Sequence, residues 1–149
     1  MAHTYTSALF HCIFSTKDRR KSIPPDAQDR LWAYIGGIAR ANHIIALAVG
    51  GVEDHVHLLL SLPATMAVAT AMRIVKSGSS RFLHEACRLT AFEWQEGYGD
   101  FSIGQAQIDA TVEYILHQRE HHRTRDFQDE FRAILERHQI GFDPRDVWL

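Results

Sequence analysis

His43-Ile44-Ile45-Ala46-Leu47-Ala48-Val49-Gly50-Gly51-Val52-Glu53-Asp54-His55-Val56-His57-Leu58-Leu59-Leu60-Ser61-Leu62 is the stretch on which the fold turns. Two β-branched and leucine-rich runs, His43 to Val49 and Val52 to Leu62, are parted by Gly50-Gly51, a pair that suits a hairpin turn. Pro63 ends the second strand. Side chains alternate along a strand, so Val56, Leu58, Leu60 and Leu62 form a core row while His55, His57, Leu59 and Ser61 face the other way. Two imidazoles then stand on one face, roughly 6 to 7 Å apart along a strand that rises about 3.3 Å per residue.

Upstream, Tyr5 to Ser15 alternates, with Ala8, Phe10, Cys12 and Phe14 on one side and Leu9, His11 and Ile13 on the other: a strand apolar on both faces. A basic loop follows. After Pro24-Pro25, Asp26 is placed to cap a helix with the stripe Ala27, Leu31, Tyr34, Ile35 and Ile38, ending near Asn42. Downstream, Thr65 is placed to cap a helix to about Ala86, whose Val68, Ala71, Met72, Val75, Phe82 and Leu83 keep the 3.6-residue period. Phe92, Trp94 and Tyr98 suggest a fourth strand. Ser102-x-x-Gln105 is a capping-box signature for a helix from Ile103 to about His122, with Ile108, Val112, Ile115 and Leu116 as its buried stripe. A last helix, Asp126 to His138, carries Phe127, Phe131, Ile134 and Leu135, and Gly141 stops it.

The order β-α-β-β-α-β with two added C-terminal helices is α+β, a ferredoxin-like split βαβ with a four-stranded antiparallel sheet and two helices on one face. The other face is left open unless the extra helices, a partner subunit or a ligand cover it. At 149 residues the chain is long enough for one core and too short for two, so residues 1–149 are expected to form a single domain.

Composition excludes other classes. With 46% apolar and 23% charged residues the chain is no disordered polymer. No apolar run approaches the roughly 20 residues of a membrane helix, and no secretory leader is readable, so no membrane is expected and the expected address is the cytoplasm. Cys12 and Cys87 show no C-x-x-C pairing and read as core residues of a reducing compartment. Residues 1–88 carry 10 Lys/Arg against 6 Asp/Glu and residues 89–149 carry 6 against 12, which rules out a uniformly basic nucleic-acid coat. Two local basic clusters remain: Lys17, Arg19, Arg20 and Lys21, then Arg73, Lys76, Arg81 and Arg88. Taken alone, each also reads as solvated surface.

The pair His55-x-His57 can converge on one ion, or be two histidines on a partly exposed sheet; a metal site needs a third ligand. The helix from Ile103 is the best source. Tyr114 and Gln118 lie more than about 90° from the centre of its stripe at about 100° per residue, one turn apart on the same face. Standing alone they are also an exposed Tyr and Gln on an amphipathic helix.

Together, Phe10-x-x-x-Phe14-Ser15-Thr16-Lys17-x-Arg19-Arg20, Gly51-x-x-Asp54-His55-Val56-His57-Leu58-Leu59, Trp94-Gln95-x-x-Tyr98 and Tyr114-x-x-x-Gln118-x-x-His121-His122 resemble the single-tyrosine HUH transposases of the IS200/IS605 class. The resemblance spans nearly the whole chain. It implies an enzyme that cleaves and rejoins single-stranded DNA, with Tyr114 attacking phosphorus to form a 5′-phosphotyrosine link and free a 3′-hydroxyl. It implies a divalent cation, Mg or Mn, held by His55, His57 and Gln118. Asp54 either orients His55, serves as an alternate ligand, or is only a hairpin-edge carboxylate. His121 and His122 are expected as supporting or packing residues. The resemblance further implies a homodimer that holds subterminal DNA hairpins and can share active sites between subunits, so that Tyr114 acts in cis or in trans. Lys17, Arg19, Arg20, Lys21, Arg73, Lys76 and Arg81 are then candidate phosphate contacts on DNA. Two other outcomes stay open on this scaffold: a catalytically silent hairpin-binding protein or a domesticated repeat-processing relative. A third, from another class, is a metal-dependent hydrolase in which Tyr114 is incidental.

Overall fold

The structure, a computed structural model, describes residues 2–145. Strands β1 (Leu9–Ser15), β2 (Ile45–Gly51), β3 (His55–Ser61) and β4 (Gly99–Ile103) form one sheet in the order β2-β3-β1-β4. All three pairings are antiparallel, and β1 sets Ile13 opposite His57 and Ser15 opposite His55. This is the expected ferredoxin-like order.

Helices α1 (Pro25–Ala41) and α2 (Val68–Glu85) cover one face. Pro25 sits at the first helical turn, where its fixed φ suits the helix and its missing N–H costs nothing. Leu31, Ile35 and Ala39 from α1 and Met72, Val75 and Leu83 from α2 bury against Cys12, Phe14, Val56, Leu58 and Leu60. That is the predicted core row. The opposite face is closed as well. Helix α3 (Ile108–Leu116) lays Ile115 on Ala48 and Leu59, and α5 (Phe127–Arg137) lays Phe127, Ile134 and Leu135 on Ile13 and Phe101. The short α4 (Gln118–His121) joins them. His55 and His57 therefore lie inside the molecule, both fully buried, rather than on an exposed sheet.

Several local expectations are corrected. The hairpin turn falls at Val52, Glu53 and Asp54, not at Gly50-Gly51, which are still strand and have no positive φ. Those glycines serve close approach: a Cβ on Gly50 would collide with the Ile115 carbonyl, and one on Gly51 with the His55 carbonyl. Phe92 and Trp94 are not a strand. Trp94 makes one isolated bridge to Thr16, stacks edge-on against Phe14 at 4.7 Å and donates its indole N–H to Ser79 Oγ at 3.0 Å. The fourth strand begins at Gly99, so Ser102 and Ile103 pair with Phe10 and Leu9 instead of starting a helix. Half of a capping box sits two residues later: the Gly104 N–H donates to Gln107 Oε1, while the Gln107 N–H bonds to the Gly104 carbonyl because glycine has no side chain to cap it.

The helix expected to run unbroken to His122 ends at Leu116, which is 60% exposed and not part of the buried stripe. His117 leaves helical geometry (φ −111°, ψ 29°) while its Nδ1 donates to the Glu113 carbonyl. Helix starts also move: Pro24, not Asp26, is the residue ahead of α1, and Ala67, not Thr65, precedes α2. Helix α5 ends at Arg137, and Gln139 rather than Gly141 takes the left-handed conformation beyond it. Among the described residues no helix is long and apolar enough to cross a membrane.

Candidate metal and tyrosine site

Strand β3 brings His55 and His57 to one face with ring centroids 5.1 Å apart. His55 Nδ1 donates to Asp54 Oδ1 at 2.7 Å, which fixes the ring and turns Nε2 inward. His57 Nδ1 meets His11 Nε2 at 2.8 Å, and its own Nε2 also points inward. From the other side, the break at His117 lets Gln118 drop into the interior. Its amide nitrogen donates to the Tyr114 carbonyl, so the amide oxygen faces His55 Nε2 and His122 Nε2, each at 3.1 Å.

Glu130 of α5 stands at the centre of this group and is 1% exposed. Its Oε1 accepts from His57 Nε2 at 2.9 Å, His122 Nε2 at 3.2 Å and His55 Nε2 at 3.3 Å. Its Oε2 accepts the hydrogen bond donated by the Tyr114 hydroxyl. His121 stacks on the Tyr114 ring at 4.7 Å. The structure thus brings Tyr114, His55, His57, Gln118, Asp54 and His121 into one constellation.

Burial and charge set the protonation states. Burial alone would raise the Glu130 carboxyl, but the imidazoles of His57, His122 and His55 outweigh it and hold the group ionised well below the usual carboxylate range. Burial works against a charged His55, yet its bonds to Asp54 and Glu130 push it up to about 9. His57 is pushed down by burial, and His11 is pushed down to about 3 by burial and by His57. The Tyr114 hydroxyl is raised above its ordinary value by burial and by the Glu130 charge, so a free phenolate is disfavoured here.

The donor set suits a divalent ion. His55, His122 and Glu130 offer ligand atoms that all lie within 4.8 Å of one another. Imidazole nitrogen together with carboxylate and amide oxygen accommodates Mn and its neighbours, and the oxygens accommodate Mg.

Three residues of this constellation were not singled out by sequence reasoning as candidates for the chemistry. Glu130 lies three residues after Phe127 and four before Ile134, so it interrupts the apolar stripe of its helix, and a carboxylate there is a readable signal. His11 shares its face of β1 with Leu9 and Ile13. His122 is expected as a supporting or packing residue rather than a ligand, and its Nε2 reaches both Gln118 and Glu130.

The basic residues are placed elsewhere. Lys17 pairs with Glu93 at 3.0 Å and Arg20 with Asp18 at 3.4 Å, both at the surface. Arg19 is half-buried, and Lys21, Arg73 and Arg81 are exposed. Lys76 donates to the carbonyls of Gln95, Glu96 and Gly97 at 2.6 to 3.0 Å, so its ammonium clamps a loop. Lys17, Arg20 and Arg88 line a cavity of about 390 Å³ with Ser22 and Thr90.

Residues 4–118 match the family model described as Transposase IS200 like. The chain belongs to that family of transposases. Over 128 residues this transposase is 27% identical to the transposases for insertion sequence element IS200 of Salmonella typhimurium and Salmonella typhi, covering 80% of this chain and 82% of theirs. Its fold is similar to that of a Deinococcus radiodurans chain described as a transposase, with TM-score 0.63, 22% identity and coverage of 78% of this chain and 96% of that one. It is also similar to a REP-associated tyrosine transposase solved bound to a REP hairpin, with TM-score 0.56, 19% identity and coverage of 77% and 68%. Glu130 of this transposase lies beyond the segment that the family model matches.

Proposed function

We propose that this transposase cleaves and rejoins single-stranded DNA through Tyr114, with a divalent metal ion, Mg or Mn, held by His55, His57 and Gln118. The observation that carries the reading is the Tyr114 hydroxyl: it reaches the same carboxylate on which the imidazoles of His55 and His57 converge. Nucleophile and ligand set therefore meet at one point inside one chain.

A phenol with a reference pKa near 10 is a weak nucleophile at neutral pH, and here burial makes its ionisation harder still. Bound at this site, a divalent ion supplies Lewis-acid polarisation of the scissile phosphate and orients it. The chain's own residues do the rest. Asp54 holds the His55 ring, His11 holds the His57 ring, and the His121 stack with the Glu130 hydrogen bond fixes the direction of the Tyr114 oxygen. Attack on phosphorus forms the 5′-phosphotyrosine bond and breaks the bond to the 3′ oxygen, which leaves as a hydroxyl. The new ester keeps the energy of the old one, so a 3′-hydroxyl from another end reverses the step, and the outcome is strand transfer.

The hairpin-bound structural neighbour supports a DNA hairpin as the partner. The exposed cations of α2 and the cavity lined by Lys17, Arg20 and Arg88 are the surfaces offered to phosphate. A homodimer in the cytoplasm completes the reading, with Tyr114 serving its own metal site in the arrangement described or, after release from Glu130, the partner's.

The test is incubation of the purified protein with end-labelled single-stranded DNA from its own genomic flanks, with Mg or Mn, on a denaturing gel. The expected result is a denaturation-resistant protein–DNA adduct that disappears in Tyr114→Phe, in His57→Ala and in chelator. Hairpin binding without any adduct overturns the reading in favour of a silent binder. Metal-dependent cleavage that survives Tyr114→Phe overturns it in favour of a hydrolase.

A further inference from the structure

We propose that Glu130 is a ligand of the metal site and, through its second oxygen, the residue that positions the Tyr114 hydroxyl against that site. The inference rests on the reading above but concerns a residue outside the family-matched segment.

Spacing is the first argument. Metal–ligand bonds of about 2.1 Å set donor atoms about 3.0 Å apart along an octahedral edge and about 3.4 Å apart along a tetrahedral one. Glu130 Oε1 lies 2.9, 3.2 and 3.3 Å from the Nε2 atoms of His57, His122 and His55, and Gln118 Oε1 lies 3.1 Å from two of them. Glu130 Oε1 thus stands one shell edge from each of three imidazole nitrogens, and with His55 and His122 it forms a group whose ligand atoms all lie within 4.8 Å of one another.

Charge is the second. Two neutral imidazoles and an amide bring no negative charge to a doubly charged ion in a buried site, and a buried charge without a counter-charge is unfavourable. Among the described residues Glu130 is the carboxylate that faces the inward nitrogens, while Asp54 faces the outward nitrogen of His55. The α5 positions on either side of it along the stripe, Phe127 and Ile134, are buried and apolar, so the acid is set there by the imidazoles it faces.

Geometry at the nucleophile is the third. One carboxylate touches the metal-binding nitrogens with one oxygen and the Tyr114 hydroxyl with the other. Its role toward Tyr114 is positioning. Through Glu130, the docking of α5 on the sheet becomes part of the chemistry.

Calorimetric titration of the full chain with Mn²⁺ tests this, using wild type, Glu130→Gln, which keeps shape and removes charge, and Glu130→Asp, which keeps charge and shortens reach. Thermal unfolding in chelator establishes that each variant is folded. The expected result is a dissociation constant for Mn²⁺ at least about 10-fold weaker in Glu130→Gln, in line with losses of about 10- to 100-fold for groups that support a metal site. Glu130→Asp is expected to retain most of the affinity, yet to form the Tyr114 adduct more slowly than wild type at saturating Mn²⁺. Unchanged or tighter Mn²⁺ binding in folded Glu130→Gln overturns the proposal, because the carboxylate would then be a plug that metal displaces. If Glu130→Gln does not fold, folded Glu130→Ala replaces it in the titration with the same expected loss of affinity, and a wild-type adduct rate in Glu130→Asp refutes positioning. A wild-type chain that binds no Mn²⁺ overturns it as well. Should Glu130→Gln bind Mn²⁺ normally while wild type still forms an adduct that needs Tyr114 and His57, the Glu130 proposal fails and the function stands.

Discussion

Replacing Gly50 by alanine tests whether the seat of α3 on β2 sets the position of the nucleophile. Gly50 is buried, pairs with His57 across β2 and β3, and has ordinary strand φ, so the only obstacle to a side chain is space. An added Cβ would collide with the Ile115 carbonyl oxygen and press on its carbon at 3.2 Å and its Cγ2 at 3.3 Å. These are backbone and branched atoms that cannot swing aside. To restore van der Waals contact the helix must retreat by about 1 Å, and Ile115 is the residue directly after Tyr114. Overpacking of this kind costs about 1–3 kcal/mol, which lowers Tm by about 2–4 °C per kcal/mol in a chain of this size. Displacement of a reacting group by about 1 Å costs about 100-fold in rate. Gly36→Ala is the control, because a Cβ there meets nothing within 4 Å on α1, and alanine in a helix is favoured over glycine by up to about 1 kcal/mol. The assays are thermal unfolding by circular dichroism and single-turnover adduct formation with labelled DNA. A Gly50→Ala variant with wild-type Tm and wild-type adduct rate refutes a role for this glycine in the approach of α3.

Two further outcomes follow from charge. In chelator, the raised His55 stabilises the fold fully below pH 6.5, and that contribution is lost as pH rises through about 9. The gap from 6.5 corresponds to about 3 kcal/mol at about 1.4 kcal/mol per pH unit. Urea unfolding at pH 6.5 and 9.5 measures it, and saturating Mn²⁺ is expected to reverse the trend because the ion needs His55 deprotonated; equal stability at the two pH values without metal would refute the His55 assignment. Lys76→Met keeps the alkyl stem but removes the donors to three carbonyls, so it is expected to lose about 1–2 kcal/mol and to speed hydrogen exchange over residues 95–98. Arg73→Ala on the same helix is expected to leave stability unchanged, and a variant pair with equal stability would rule out the clamp.

The fold was readable wherever a side chain's period agreed with its neighbours'. Val56, Leu58, Leu60 and Leu62 read as a core row because alternation sustained over a long apolar run is what a strand buried on one face requires, and the structure buries that row under α1 and α2. Strand β4 was not readable for the opposite reason. Gly99-Asp100-Phe101-Ser102-Ile103 offers only two large apolar residues, and it becomes a strand because β1 has a free edge and Phe101 fits under α5. Trp94 looked like a strand residue by composition but is held by a tertiary contact, its indole bonded to Ser79 of α2. Glycine carries the same ambiguity. Gly50-Gly51 signals a turn to local reasoning, while the actual cause of Gly50, the carbonyl of Ile115, comes from a helix distant in sequence and leaves no local trace.

The candidate site divides along the same line. His55 and His57 stand out because two polar rings on one face of an otherwise apolar strand require a reason, and Tyr114 and Gln118 stand out because they leave their helix's apolar stripe. Glu130 is the inverse case: a charged residue that stays in the stripe. Periodicity treats it as an interruption to be averaged over, and it lies outside both the motifs that carry the family resemblance and the family model's match, which ends at residue 118. Only the burial of the opposite sheet face under α3 and α5 makes it necessary. Once His55 and His57 are sealed from water, something must neutralise and bind their inward nitrogens, and α5 is the element that closes over them. The closure that the order of elements left open is therefore the same event that completes the site.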